Sequence, residues 1–413
     1  MSRRWSIFII TSAHFFLSQF YRTSNAVIAP QLVLDLSLDT EALGLMSASF
    51  FYAFALTQIP LTLFLDKVGA RRVMTVLSLV GILGAFVFSW ADSLSLGLVG
   101  RILLGVGMAC NLMGTLKLVS DWFAPLIFAT LSGVVFSIGT LGNIVATTPL
   151  VLLVEKVGWQ RSFQFIAGIN IVLTCVLYLI VRDKPEEITS GTAASMGVTS
   201  FHQALANLKL LLRQKDYWII SLSTFVRYGV FAAFQALWAG PYLIEVMGYS
   251  AVNAGNLIFL MNIGLLVGGP FWGVVSDRLF RNRKWLIITS LIVLSVITFA
   301  FSTILPTTRL MVSALLFFGF GFFTGAGLLM IPHIKDLMPN HMAGAAMTGI
   351  NFFTMIGPAV FLHGLGILMQ ALYPHASRGP EAFNAAFLLS VSCLVGVAVL
   401  YLFTRDTTSE SNS

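Results

Sequence analysis

Thr62-Leu63-Phe64-Leu65-Asp66-Lys67-Val68-Gly69-Ala70-Arg71-Arg72 closes one long apolar segment and opens the next. Its pattern returns later as Gly273-Val274-Val275-Ser276-Asp277-Arg278, followed by Arg281, Arg283 and Lys284. Asp277 stands 211 residues after Asp66 (277 − 66), and Pro241-Tyr242-Leu243 stands at the same interval after Pro30-Gln31-Leu32 (241 − 30). Two landmarks at one offset mark an internal repeat. Two repeated halves around a central site are a transporter architecture.

The segments between such loops are long enough to cross a bilayer. Twelve of them fall at about 5–33, 41–65, 73–90, 96–122, 128–154, 161–181, 217–246, 250–275, 285–305, 309–336, 344–370 and 381–404. The longest polar break gives a linker over 182–216, between an N-terminal six-helix bundle (1–181) and a C-terminal one (217–413). Within it, 201–212 has the pattern of a surface amphipathic helix. The expected fold is an all-α membrane protein of twelve transmembrane helices in two pseudo-symmetric repeats.

Composition agrees. Hydrophobic residues make up 57% of the 413 and charged residues only 10%, against about 25% charged in soluble domains. Cys110, Cys175 and Cys393 all lie in apolar segments and read as small core residues, not as a disulfide or metal framework. No cofactor is implied. The basic pI near 9.5 comes from residues in short loops, so nucleic acid is excluded as a partner. The first apolar run is too long for a cleavable signal.

Orientation follows the Lys/Arg rule. Arg3, Arg4, Lys67, Arg71, Arg72, Arg182, Lys184, Lys209, Arg213, Lys215, Arg278, Arg281, Arg283, Lys284 and Arg405 share one side. Asp35, Asp39, Glu41, Asp92, Glu155 and Glu381 mark the other, which places both termini in the cytoplasm.

Arg22 lies inside the first apolar run, where a charge is expensive and marks a substrate or ion pathway. His14, Ser18, Arg22 and Asn25 follow i, i+4, i+8, i+11 spacing and share roughly an 80° arc of one helix face. Arg22 as a mere tie between helices is the competing reading. Arg227, Phe231, Gln235 and Trp238 repeat the spacing in the seventh segment, with helix packing the alternative for Phe231 and Trp238. The ionisable groups inside the spans are mostly cationic: Arg22, Arg227, Lys117 and Lys335, with His14, His333 and His363. Lys117 reads best as an i, i+4 partner of Asp121. With no mid-depth carboxylate, the cavity favours an anion, and His14 becomes the candidate proton carrier.

The two loops resemble the signature of the major facilitator superfamily, G-x-x-x-D-(R/K)-x-G-(R/K)-(R/K), with Thr62 in place of the first glycine and the later glycine missing from the second copy. The resemblance implies the twelve-helix fold, rocker-switch alternating access, and Asp66, Arg71, Arg72, Asp277 and Arg278 as gating residues. Arg101-x-x-x-Gly105-x-Gly107 is similar to the family's span-4 motif, which implies a coupling role for Arg101; a snorkelling helix-end arginine is the alternative. Gly139-Thr140-Leu141-Gly142-Asn143 departs from the drug-export signature. Tyr21-Arg22 ahead of Pro30-x-Leu32 resembles the organophosphate and sugar-phosphate permease branch, where an arginine at this place binds the phosphate. That branch has a second arginine in span 7. Counting back eight residues from Pro241 reaches Ala233, so Arg227 sits six residues (about 9 Å) lower and is not its symmetric partner.

The expected function is secondary transport of a small organic anion by a monomer in a lipid bilayer, most simply the bacterial inner membrane. Arg22, Arg227, Gln235, Trp238, His14 and Asn25 are the candidate substrate residues. His14 and Arg101 are the candidate coupling residues. Two alternatives stay open: a carrier of amino acids, peptides or another neutral or zwitterionic metabolite, and a non-transporting sensor on a carrier fold. No nucleophile–base set suggests an enzyme.

Overall fold

The structure, a computed structural model, describes residues 3–184, 210–280, 282–303, 310–338 and 340–406. The amphipathic helix expected over 201–212 lies mostly outside them, as does the Asp66 side chain. Among the described residues the chain is helical, with no strand. In order the helices are α1 (Arg3–Thr23), α2 (Asn25–Leu36), α3 (Thr40–Val68), α4 (Ala70–Ser89), α5 (Leu94–Met108), α6 (Asn111–Trp122), α7 (Pro125–Val145) and α8 (Thr148–Ile180). The second half continues with α9 (Lys215–Val246), α10 (Ala251–Arg278), α11 (Arg283–Thr303), α12 (Leu310–Leu337), α13 (Asn340–Leu372) and α14 (Pro380–Tyr401). Counting α5 with α6 as one, ten spans among the described residues are long and apolar enough to cross a membrane. α1 with α2, and the 29-residue α3, stand where the first two segments were expected.

By its contacts the chain forms two compact units. One holds Met1–Thr192 with Ala236–Ile244 and Tyr249–Asn256; the other holds Ala193–Gln235, Glu245–Gly248 and Leu257–Ser413. Each unit repeats the same local construction. α1 packs on α7 and α4 on α8 in the first, while α9 packs on α13 and α11 on α14 in the second.

The ends of these pairs are tied alike. In the first unit Arg71 donates from its backbone to Asp183 (2.8 Å) and from its guanidinium to the Tyr178 carbonyl (3.0 and 2.6 Å). In the second, Asn282 donates to Asp406 (2.8 Å) and Lys284 to the Leu402 and Thr404 carbonyls (2.8 and 2.7 Å). Asn282 follows Arg71 by the sequence offset of 211 (282 − 71). Cations at a helix C-terminus satisfy carbonyls that the helix leaves open.

Gly69 explains one letter of the loop motif. It separates α3 from α4 at φ +92°, a left-handed conformation, and a Cβ there would meet the Asp183 carboxylate at 2.6 Å. The second copy has no such glycine, and its helix runs on through a π-turn to Phe280.

Boundaries differ from expectation at one place. The fifth segment was expected as one run to 154, but α7 ends at Val145 and a new helix starts at Thr148, with Pro149 in its first turn. Gly158, at φ +80°, then turns the chain into the sixth span.

Among the described residues, the first, fourth, seventh and tenth spans are interrupted within their length as well. α1 passes into α2 at Ser24, and α5 into α6 at Ala109 and Cys110. α9 carries π-turns at Phe234–Trp238 and Tyr242–Val246, and α12 a 3₁₀ turn at Ala326–Leu329. Broken helices in transporters cluster where a ligand binds.

Small residues let the helices approach closely. A Cβ on Gly105 would overlap the Phe50 carbonyl of α3, and one on Gly107 would overlap the Gly81 backbone of α4. Gly107→Leu is expected to destabilise the first unit by about 1–3 kcal/mol or more, read as a lower thermal midpoint in detergent. An unchanged midpoint would show that α4 and α5 can separate without cost.

Candidate functional site

In the first unit the candidate site is built on the break in the first span. Arg22 occupies the last turn of α1 and is only 6% exposed. Its guanidinium carbon lies 5.1 Å from the centre of the Phe51 ring on α3, a favourable cation–π distance. Asn25, the first residue of α2, donates from Nδ2 to the Ser47 hydroxyl of α3 (2.9 Å) and leaves Oδ1 without a partner.

Arg101 comes to the same place from α5. It is fully buried, so it does not snorkel to a membrane surface. Its Nη1 donates to the Tyr21 carbonyl (2.9 Å), the peptide next to Arg22. Its guanidinium carbon lies 5.0 Å from the Phe50 ring and 5.7 Å from Phe88. Nε and Nη2 have no hydrogen-bond partner. Two arginines thus sit against the neighbouring rings Phe50 and Phe51, which themselves meet edge-on at 5.5 Å. A motif spacing carried this in the sequence: Arg101 and Gly105 are i, i+4, and Gly105 is the residue that touches Phe50.

The polar stripe of the first span divides between two neighbours. Arg22 and Asn25 face α3. Ser18 donates to the Met108 carbonyl (3.3 Å), and the His14 carbonyl accepts from Asn111 (3.1 Å), so the lower part of the stripe meets α5 and α6. The His14 Nδ1 lies 3.0 Å from the Ile10 carbonyl and must be the protonated nitrogen to donate there. Nε2 then carries the lone pair, and it has no partner.

In the second unit Arg227 is buried and Nη1 donates to the Thr324 carbonyl of α12 (2.8 Å). It is a cross-link between α9 and α12, with Nε unpartnered. Its guanidinium lies over Gly327 so closely that a Cβ there would overlap it. Gly327→Ala is therefore expected to expel Arg227 from the Thr324 carbonyl and cost about 1–2 kcal/mol of stability. In an Arg227→Met background the same substitution should cost little, which a double-mutant cycle of thermal midpoints measures. Equal losses in both backgrounds would remove Arg227 from the explanation.

The stripe expected on the seventh span does not hold as one face. The π-turn beginning at Phe234 adds a residue to the turn, which rotates everything after it by about 100° relative to an α-helix. Phe231 packs on Phe320, with ring centres 5.6 Å apart. Gln235 turns to Asn262 of α10 and donates to its Oδ1 (2.6 Å), while the Asn262 Nδ2 donates to the Ile258 carbonyl (2.9 Å). Trp238 is buried and belongs by its contacts to the first unit.

Of the gating residues, Asp277 is exposed and pairs with Arg283 (3.6 Å). Arg283 also pairs with Asp336 at the end of α12. Arg283, not the exposed Arg278, bridges the helices here. Arg71 forms the ties described above, and Arg72 is exposed. Asp183 and Asp216 were not singled out from the sequence, whereas Asn262 was among the polar groups expected to line the cavity or bond between helices, and it does bond to Gln235 of α9. Their partners lie 112, 189 and 27 residues away, beyond any local spacing.

A chain of apolar helices with buried cations at its helix breaks is a polytopic membrane carrier. This chain belongs to the Major Facilitator Superfamily, whose profile matches residues 11–362. A probable sulfoacetate transporter of Cupriavidus necator is 24% identical over 412 residues, covering 96% of this chain and 94% of its own. A probable galactarate/D-glucarate transporter of Escherichia coli is 26% identical over 428 residues, covering 96% and 92%. A hexuronate transporter of Bacillus subtilis is 26% identical over 383 residues, covering 89% and 87%. Among solved structures, a D-xylose–proton symporter superposes with a TM-score of 0.78 at 14% identity, over 98% of this chain and 99% of that one. That last likeness is one of fold. The resemblance read from the two loops is borne out, and the protein is a multi-pass integral membrane transporter.

Proposed function

We propose that the protein carries a small organic anion across the bacterial inner membrane, with Arg22 as the principal ligand and Arg101 beside it. The pair of guanidiniums at the Tyr21–Arg22 peptide carries this reading. Arg101 is fully buried with Nε and Nη2 unpartnered, which is costly until an anion completes its shell. Carboxylates and sulfonates offer the planar or paired oxygens that a guanidinium fork matches. The named cargoes of the relatives are acids of this kind: sulfoacetate, galactarate, D-glucarate and hexuronates.

The remaining residues take supporting parts. Asn25 Oδ1, Gln235 and Trp238 are assigned to the body of the substrate, which in the sugar acids named for two of the relatives carries hydroxyl groups. Arg227 adds positive charge more than direct contact, because Nη1 is committed to Thr324. His14 is assigned to proton coupling through its open Nε2. The bundles 1–181 and 217–413 are assigned to rocker-switch alternating access in a monomer, with both termini cytoplasmic and the ties at Arg71 and Asp277 gating that side.

Uptake into proteoliposomes tests the proposal, with D-glucarate, sulfoacetate and D-glucuronate as anionic probes and D-glucose as the neutral one. Saturable uptake of at least one acid and none of the sugar is expected. Transport of the sugar alone overturns it.

A further inference from the structure

A second buried histidine stands apart from the anion site. His333 of α12 is fully buried, and its Nδ1 lies 2.7 Å from the hydroxyl of Tyr401, the last residue of α14. The two rings are 5.7 Å apart and tilted by 34°. Tyr401 is fully buried as well, and the His333 Nε2 has no hydrogen-bond partner.

A phenol can donate or accept, which distinguishes this pair from His14 and its carbonyl. With a neutral imidazole, the Tyr401 hydroxyl donates to Nδ1 and the ring proton sits on Nε2. When the ring takes a second proton, Nδ1 donates and the Tyr401 oxygen accepts. One proton is bound by reversing one hydrogen bond, and no carboxylate is needed.

The charges around the pair give that proton a consequence. From α9, Asp216 accepts from the Arg405 backbone (3.0 Å) and from its Nε (2.7 Å), which ties the end of α14 to the start of α9. The Arg405 Nη2 reaches the Leu337 carbonyl at the end of α12 (3.4 Å). From α12 itself comes Asp336, paired with Arg283 of α11; Lys335 is exposed. Asp216, Asp336 and Arg283 all act electrostatically on His333, and Arg227 and Asp216 on Tyr401. α13 also packs on α12, and its side chains over 340–345 lie outside the described residues. A positive His333 competes with Arg405 for Asp216 and with Arg283 for Asp336.

We propose that the His333–Tyr401 pair is a proton-binding site that loosens the tie between α9 and α14 as pH falls on its side of the membrane, and so sets the rate of the transport cycle. It rests on the chain being a carrier and not on Arg22 holding the substrate.

Two measurements on the full-length protein decide it. Potentiometric titration in detergent from pH 8 to 5.5 counts protons without any substrate. His333→Gln is expected to take up one proton fewer than the parent, whereas Arg22→Gln should take up the parent's number. In proteoliposomes at equal pH on both sides, D-glucarate exchange by the parent should change by about tenfold across two pH units. That dependence should flatten in His333→Gln. In Tyr401→Phe, which keeps the ring and removes only the hydroxyl, its midpoint should move. Equal proton counts in parent and His333→Gln, or identical pH profiles, overturn the proposal. If His333→Gln does not fold, Tyr401→Phe carries the test, and an unmoved titration midpoint overturns it.

Discussion

Arg22→Lys and Arg22→Gln are expected to reduce uptake of the anionic probe by about 10- to 150-fold, in the order parent, Lys, Gln. A charge-assisted hydrogen bond contributes about 1.5–3 kcal/mol, and each 1.4 kcal/mol is a factor of about ten. Lysine keeps the charge but loses the fork that meets two oxygens at once. Glutamine loses both. The loss should fall on KM if the contact forms equally in ground and transition states, and on the maximal rate if it tightens only as the carrier switches. Thermal midpoints and uptake per folded molecule, measured on the same preparations, separate a lost contact to the anion from a lost fold. Normal uptake by the Lys variant would refute a paired contact. Normal uptake by both would refute the anion site itself.

Much of the architecture was legible because it repeats. The offset of 211 residues that linked Asp66 to Asp277 also links Arg71 to Asn282, and both partners tie the start of one helix to the end of another. Gly69 was legible as a motif letter, and its φ of +92° against Asp183 supplies the physical reason. Arg22 was legible because an intramembrane charge is rare. The failures share a cause as well. Helical spacing predicts a common face only while the helix keeps α geometry, and the π-turn at Phe234 ends that condition just before Gln235. Nothing in residues 234–238 announces the π-turn, within which Gln235 bonds to Asn262 of α10. Arg101 was placed near a helix end by counting hydropathy, which does not report what packs around a side chain. Phe50, Phe88 and the Tyr21 carbonyl enclose it fully.

The four broken spans connect these observations to mechanism. Arg22 precedes the break in the first span, and Arg101 lies two turns before the break in the fourth. Arg227 lies two turns before the π-turn in the seventh, and His333 one turn after the 3₁₀ turn in the tenth. Breaks free carbonyls from the helix ladder, and in the first and tenth spans an arginine takes up such carbonyls, at Tyr21 and Thr324. Charge and break therefore support each other.

Arg101→Met should separate stability from function, with opposite signs for the two. Arg101 is fully buried, makes no ion pair among the described residues, and satisfies one nitrogen with the Tyr21 carbonyl while two remain unpartnered. Removing such a charge in favour of an apolar side chain of similar length is expected to stabilise the protein by about 1–4 kcal/mol, offset by the lost hydrogen bond of about 1 kcal/mol. The thermal midpoint should rise. Anion uptake should nevertheless fall by at least about tenfold, because the substrate loses the second guanidinium beside Arg22. Arg101→Lys places a compact, strongly hydrated charge in the same enclosure, so it should lower the midpoint and not rescue uptake. A purely structural arginine predicts the reverse for Met: a lower midpoint, with uptake lost only in proportion to folded protein. Measuring the midpoint and the uptake per folded molecule on the same preparations distinguishes the two. A carrier that retained a costly unpaired arginine for stability would have no reason to become more stable without it.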